Sequence, residues 1–80
     1  MRCKEAVRAR ILELCYERDL TVNGLCRECG ITQSTINNII SGRNNSTGVS
    51  TIQKICDGLN INLIIFFNSP LFEDIEQEIY

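Results

Sequence analysis

Apolar residues recur at Val7, Ile11, Leu14 and Cys15, the i, i+4, i+7, i+8 spacing of one helical face. The spacing predicts a first helix over residues 4–18, with Asp19 and Leu20 in the following turn. Thr21 is suited to cap a second helix, in which Val22, Leu25, Cys26 and Cys29 supply the apolar positions. Gly24 within that helix costs up to about 1 kcal/mol relative to Ala, so the helix is intrinsically weak and depends on packing. Gly30 stands where a left-handed residue closes a helix, and Thr32 is the next N-cap. A third helix follows over residues 33–41, with Ile36, Ile39 and Ile40 on one side and Gly42 ending it. Residues 43–48 (Arg-Asn-Asn-Ser-Thr-Gly) form a polar loop rich in breakers. Val49, Ile52, Ile55, Cys56 and Leu59 mark a fourth helix, and Asn60 fits a left-handed end. Residues 63–67 predict a short, deeply packed fifth helix. Beyond Pro70, the spacing of Leu71, Phe72, Ile75 and Ile79 adds a last amphipathic turn or two. Five short helices with brief connections make an all-α bundle.

Length and composition agree with this pattern. Eighty residues make one domain and bury only ~60% of the unfolded surface, so the core must be small and aliphatic. A hydrophobic content of 44% without Trp suits that. The longest apolar run, residues 63–67, falls far short of the roughly 20 residues that cross a bilayer, and no basic segment leads into a long apolar one. A cytoplasmic protein with no membrane partner is expected.

Charge changes the picture in one respect. The isoelectric point near 5.0 and net charge of −2 are unlike the basic footprint of most nucleic-acid binders. Glu73, Asp74, Glu76 and Glu78, however, all lie in the last eight residues. The remainder carries eight Lys/Arg against six Asp/Glu, a net of +2. The chain thus divides into a mildly basic body over residues 1–68 and an acidic, amphipathic segment over residues 69–80. Such a body binds nucleic acid with modest, salt-sensitive non-specific affinity.

The second and third helices carry the chemistry. Two short helices joined by a tight turn, with Gly at the end of the first, are the generic helix-turn-helix arrangement. Its second helix enters the DNA major groove and meets base edges with its N-terminal residues. On a helical wheel Gln33, Ser34, Asn37 and Ser41 share the face opposite Ile36, Ile39 and Ile40, with Asn38 at its margin. That face is rich in amides and hydroxyls and has no acid to repel phosphate. Gln and Asn can pair bidentately with adenine N6 and N7. Polarity alone would equally describe ordinary solvated surface. The Thr caps before both helices, the Gly between them and the Ser41-Gly42-Arg43 exit favour DNA reading.

The stretch Thr21-Val-Asn-Gly-Leu-Cys-Arg-Glu-Cys-Gly-Ile-Thr-Gln-Ser-Thr-Ile-Asn-Asn-Ile-Ile-Ser-Gly-Arg43 resembles the phage repressor/Cro-type helix-turn-helix family, also called the xenobiotic-response-element type. The resemblance spans roughly residues 6–67 and takes in Ile52-Gln-Lys-Ile-Cys-Asp-Gly-Leu-Asn-Ile61. It implies a compact five-helix, lambda-repressor-like DNA-binding domain that binds double-stranded operator DNA sequence-specifically as a transcriptional regulator, typically a repressor. It also implies frequent homodimers on palindromic sites. By position, Gln33 and Ser34 correspond to the principal base-reading residues, and Thr32, Asn37 and Asn38 to flanking base or phosphate contacts. Arg43, Asn44 and Asn45 correspond to the segment approaching the DNA backbone, and Thr21 and Ser41 complete the expected set.

Besides the low isoelectric point, three positions depart from the family. Val22 stands where a Gln usually contacts phosphate and braces the recognition helix, and Val can do neither. Helix-start amides can still face a phosphate, and anchoring is expected to rest more on Arg43 and its loop. Cys15 and Ile40 stand where some members pair an Arg with a Glu. Two apolar partners replace a buried ion pair without stranding a charge.

Cys26 and Cys29 form a C-x-x-C, but a structural zinc site needs four ligands, and this chain has no His and only scattered further cysteines. A redox motif would sit beside a βαβ unit. Cys15, Cys26, Cys29 and Cys56 are therefore expected in the core and Cys3 at the surface, with no metal or other cofactor. Without His there is no Ser/His or Cys/His dyad, and no glycine-rich phosphate loop occurs, so an enzyme is not expected. The competing function is a protein-interaction module on the same fold, such as the antitoxin partner of a small toxin. Leu71, Phe72, Ile75, Ile79 and Tyr80 would supply its contact surface unless they pack on the domain's own helices.

Overall fold

The computed structural model describes residues 1–42, 47–77 and 79. Among the described residues the chain forms α1 (Cys3–Glu17), α2 (Val22–Cys29), α3 (Gln33–Ile40), α4 (Val49–Leu59) and α5 (Leu63–Phe67), then one 3-10 turn (Pro70–Phe72). No strand occurs among them. The expected all-α, five-helix architecture is what the chain adopts.

One device closes three of these helices. Asp19, Gly30 and Asn60 each take a left-handed conformation, with φ of 54°, 64° and 58°. The next residue's amide reaches back to a carbonyl inside the helix: Leu20 to Cys15 O at 2.9 Å, Ile31 to Cys26 O at 3.1 Å and Ile61 to Cys56 O at 2.9 Å. These bonds satisfy carbonyls that a helix end otherwise leaves open. Leu20, Ile31 and Ile61 then pack against the core. Each turn thus combines a left-handed residue with an apolar one that pins the chain to the body.

The core is aliphatic and thiol-rich. Ile11, Leu25, Ile36, Ile55, Cys56 and Phe66 are its most deeply buried large side chains. Cys15, Cys26 and Cys29 join them, and Cys3 is exposed, as the apolar periodicity suggested. Cys15 lies within this core and Ile40 packs against it, so the apolar pair is accommodated. Helices α2 and α4 meet most closely at Gly58. A Cβ built there would lie 2.5 Å from Cys29 Sγ, 2.7 Å from Cys29 Cα and 2.7 Å from Glu28 O. Only a residue without a side chain permits that approach.

Two expectations need correction. The fifth helix is not deeply packed: Phe66 is fully buried, but Ile64 is 79% exposed, Ile65 47% and Phe67 40%. Its five residues make little more than one turn, so only Phe66 and, three positions earlier, the half-buried Leu63 face the core. Among its described residues the C-terminal segment yields one 3-10 turn rather than further amphipathic helix. Ser69 caps that turn by accepting the Leu71 amide at 3.3 Å, and Phe72 packs on the core. After Pro70–Phe72, the described residues 75–77 have no helical assignment, and Ile79 is 81% exposed. Glu78 and Tyr80 lie outside the described residues.

Two arginines of α1, at positions the apolar pattern left unremarked, fasten the other helices. Arg10 is buried; its Nε donates to Phe66 O at 2.7 Å, one Nη donates to Ile65 O at 2.9 Å, and the other meets the Glu13 carboxylate. It thereby satisfies carbonyls of α5, which is too short to do so itself. Arg8 Nε donates to Ile40 O, the last residue of α3, at 2.6 Å.

Candidate nucleic-acid interface

The turn between α2 and α3 consists of Gly30, Ile31 and Thr32. Gly30 reverses the chain, Ile31 anchors it, and Thr32 starts α3. Thr32 Oγ1 accepts the Thr35 amide at 3.3 Å and lies 3.0 Å from the Thr35 hydroxyl. Thr21 does the same for α2, accepting the Gly24 amide at 3.0 Å. Gly24 is tightly fitted beneath that cap: a Cβ there would stand 3.3 Å from Thr21 Oγ1 and 3.4 Å from a Leu20 methyl. The glycine that weakens α2 as a helix is thus part of its start.

With α3 held so, Ile36 and Ile39 are buried, while Gln33, Ser34, Asn37 and Ser41 are exposed and Asn38 is half-buried. The helix bears no acidic residue. Its eight residues span about 12 Å, close to the width of a B-DNA major groove. Ser41 ends it, with its amide bonded to Asn37 O at 2.8 Å, and Gly42 leads away at φ 77°. Thr21 and Thr32 are exposed at the starts of the two helices, so both caps border the outer surface. Arg43, Asn44 and Asn45, expected to approach the DNA backbone, lie outside the described residues.

The sequence pattern did not reveal three further features. Gln33 Nε2 donates to the side-chain oxygen of Asn23 on α2, so the leading amide of α3 is braced by a residue not counted as part of the site. Val22, one position earlier, is half-buried and packs against the core instead. At the N-terminal end of α3, a cleft of about 180 Å³ is lined by Gly30, Ile31, Thr32, Thr35, Thr51 and Lys54. At its C-terminal end, a cleft of about 350 Å³ is bordered by Lys4, Glu5, Arg8, Ser41 and Gly42, among others. Cationic side chains therefore border the polar helix at both ends, with Glu5 beside Lys4 and Arg8 at its C-terminal end. Lys4, Arg8 and Lys54 come from α1 and α4, far away in sequence, so no local motif marks them.

Three of the thiols beneath this surface are held neutral. Burial pushes the Cys15, Cys29 and Cys56 thiols up, Cys29 to about 11, with further contributions at Cys29 from neighbouring cysteines and Glu28. Cys29 Sγ lies 3.5 Å from Ile55 O, so this half of the C-x-x-C faces α4.

Comparison with known proteins agrees with this geometry. The Cro/C1-type HTH DNA-binding domain matches residues 10–64. The crystal structure of the prophage Lp1 protein 11 superposes with a TM-score of 0.81 at 32% identity, covering 94% of this chain and 100% of that one. No curated protein matches the sequence. No helix among the described residues is long and apolar enough to cross a membrane. With capped α2 and α3, the turn at Gly30 and a family match over most of its length, the chain belongs to the Cro/C1-type helix-turn-helix DNA-binding domain family.

Proposed function

We propose that the protein is a sequence-specific transcriptional regulator, acting as a repressor, that lays α3 in the major groove of double-stranded operator DNA. The observation carrying this reading is the exposed, acid-free amide and hydroxyl face of α3, fixed at its start by Thr32 and the Gly30 turn. Gln33 and Ser34 read base edges; Asn37, Asn38 and Ser41 extend the reading face; Thr21 and Thr32 present helix-start amides to phosphate. Lys54 at one end of α3, with Lys4 and Arg8 at the other, supplies positive charge for the flanking backbone, as does Arg43, while Asn44 and Asn45 offer neutral amide donors to it. A homodimer would place two recognition helices about one DNA turn (~34 Å) apart on a palindrome. Residues 1–68 form the DNA-binding body, and residues 69–80 its acidic adjunct.

The interaction-module reading has less support. The 3-10 turn carrying Leu71 and Phe72 lies against α1, and Phe72 packs on the domain's own core rather than facing outward. Selection from random duplex DNA with the full chain tests the function. Gln33→Ala should flatten the preference at the base pair it reads by roughly 5- to 150-fold, the worth of one bidentate contact. Recovery of no preferred sequence, or an unaltered preference in Gln33→Ala, would overturn the assignment. A mass measurement of the free protein, and of the protein bound to a recovered site, tests the dimer.

A further inference from the structure

The last four carbonyls of α3 are each accounted for. Asn37 O accepts the Ser41 amide at 2.8 Å, Asn38 O the Ser41 hydroxyl at 3.4 Å and Ile39 O the Gly42 amide at 3.2 Å. Ile40 O, the last, accepts from Nε of Arg8 at 2.6 Å. The first three donors are local; the fourth comes from α1, 32 positions earlier. It is not the side-chain ion pair whose places Cys15 and Ile40 occupy, since Arg8 stands about two turns before Cys15 and its acceptor is backbone. α3 has no basic residue in its own last turn, so Arg8 is also the cation bound at the negative end of the helix dipole.

A guanidinium carries five N–H donors in a rigid fork, and the bond to Ile40 uses one of them. Arg8 is exposed, and its two Nη groups have no partner among the described residues. The side chain borders the cleft of about 350 Å³ at the C-terminal end of α3, where Lys4 is a second cation. Glu5, the carboxylate of this cleft, accepts the Arg2 amide at 3.0 Å and so serves the start of α1. A helix lying in the major groove has a phosphate strand at either end. Two parallel Nη–H bonds match the oxygens of one phosphate, a fit that the point charge of a lysine does not offer.

We propose that Arg8 is a positioning residue that couples phosphate binding to the placement of α3. Its Nε holds the last carbonyl of that helix while its Nη groups take a backbone phosphate of the bound duplex. This rests on α3 lying in the major groove. One guanidinium then stands between two negative partners, the carbonyl end of α3 and the DNA strand, that would otherwise repel each other. A phosphate carries no sequence information, so Arg8 fixes the register of α3 on the duplex and not its base preference.

Two substitutions in the full chain separate the roles. Arg8→Gln puts an amide nitrogen where Nε stood, so the Ile40 bond is kept while the charge and the Nη donors are lost. Its melting temperature should match the parent's. Its binding should weaken by roughly 5- to 20-fold on every duplex sequence, and the slope of log K against log salt should shrink by about 0.9. Arg8→Lys keeps the charge but has carbon at the Nε position. It should retain the salt slope and melt a few degrees below the parent. An unchanged slope in Arg8→Gln would overturn the inference, because Arg8 would then be a helix cap alone. An Arg8→Lys protein that melts with the parent would overturn it too, because Arg8 would then be a phosphate contact alone. If the parent binds no duplex at any salt, the groove reading itself fails. If the parent binds and either variant misbehaves in these ways, that reading stands and the coupling alone fails.

Discussion

Substitution of Gly58 by Ala tests how the two halves of the domain are held together. An added methyl would meet Cys29 Sγ at 2.5 Å, Cys29 Cα at 2.7 Å and Glu28 O at 2.7 Å, whereas ordinary contact begins near 3.4 Å. The thiol can rotate away, but the other two atoms are backbone, so α2 would have to retreat from α4 by about 0.7 Å. Alanine brings up to about 1 kcal/mol of helix propensity in α4. Against this stands overpacking of a close-fitted core, typically about 1 to 3 kcal/mol and sometimes more, with Cys29, Ile55 and Leu59 along the disturbed seam. The net expectation is destabilisation by about 1 to 2 kcal/mol, which for a domain of this size lowers the melting temperature by about 4 to 16 °C. Circular dichroism melts and urea titrations measure it, with the urea slope unchanged if only the folded state is affected. Adding Cys29→Ala removes the thiol but neither backbone contact, so the double variant should recover little. A Gly58→Ala protein as stable as the parent, or more so, would show that the helices separate freely.

Three further outcomes are expected. Arg10→Ala strips the Ile65 and Phe66 carbonyls of a charged donor and should cost about 2 to 4 kcal/mol in urea denaturation; the half-exposed Glu13 contributes little of this. A loss below about 1 kcal/mol would mean the α5 carbonyls find other partners. The Cys29 thiol keeps its proton to about pH 11 when folded, but gives it up near 9.0 when unfolded. Between those values the unfolded state binds fewer protons, so stability falls with rising pH by at most about 2.7 kcal/mol. Cys29→Ala should shed that part of the slope, and an identical slope in the variant would refute the cause. Finally, brief alkylation of the native protein should add one label, at Cys3, and full labelling of the other four cysteines should require unfolding. Rapid native labelling at Cys26 would contradict their burial.

Helix positions were legible because they rest on local rules: apolar periodicity gave the buried faces of α1 to α4, and threonine caps and Gly30 gave the ends of α2 and α3. Asp19 was harder, since a left-handed aspartate costs more than glycine and is held by the Leu20 anchor behind it. The exposed polar face of α3 was visible for the same local reason, but its bond to α2 was not. Asn23 matters through a partner ten residues away, and Lys54 through a cleft shared by two helices. Arg10 left no mark in the sequence pattern because its partners are backbone carbonyls, which no side-chain pattern announces. The fifth helix misled because a run of apolar residues has no period to betray which of them face out.

The place of the brace follows from the packing of α2. Val22, Leu25, Cys26 and Cys29 form its inward stripe, and Val22 spends its side chain against the core. A residue there could brace α3 only if it were long enough to leave the core and polar at its tip. Asn23 lies about 100° further round the helix, already in solvent, and is one methylene shorter than glutamine. It has fewer torsions to freeze and keeps no apolar surface from the core, so bracing and packing no longer compete for one residue. The weak point of α2 lies at its start, at Gly24, while at its other end Cys29 meets Gly58 of α4. A shift of α2 at that seam would move Cys29 and, through the Ile31–Cys26 bond, the Gly30 turn that leads into α3.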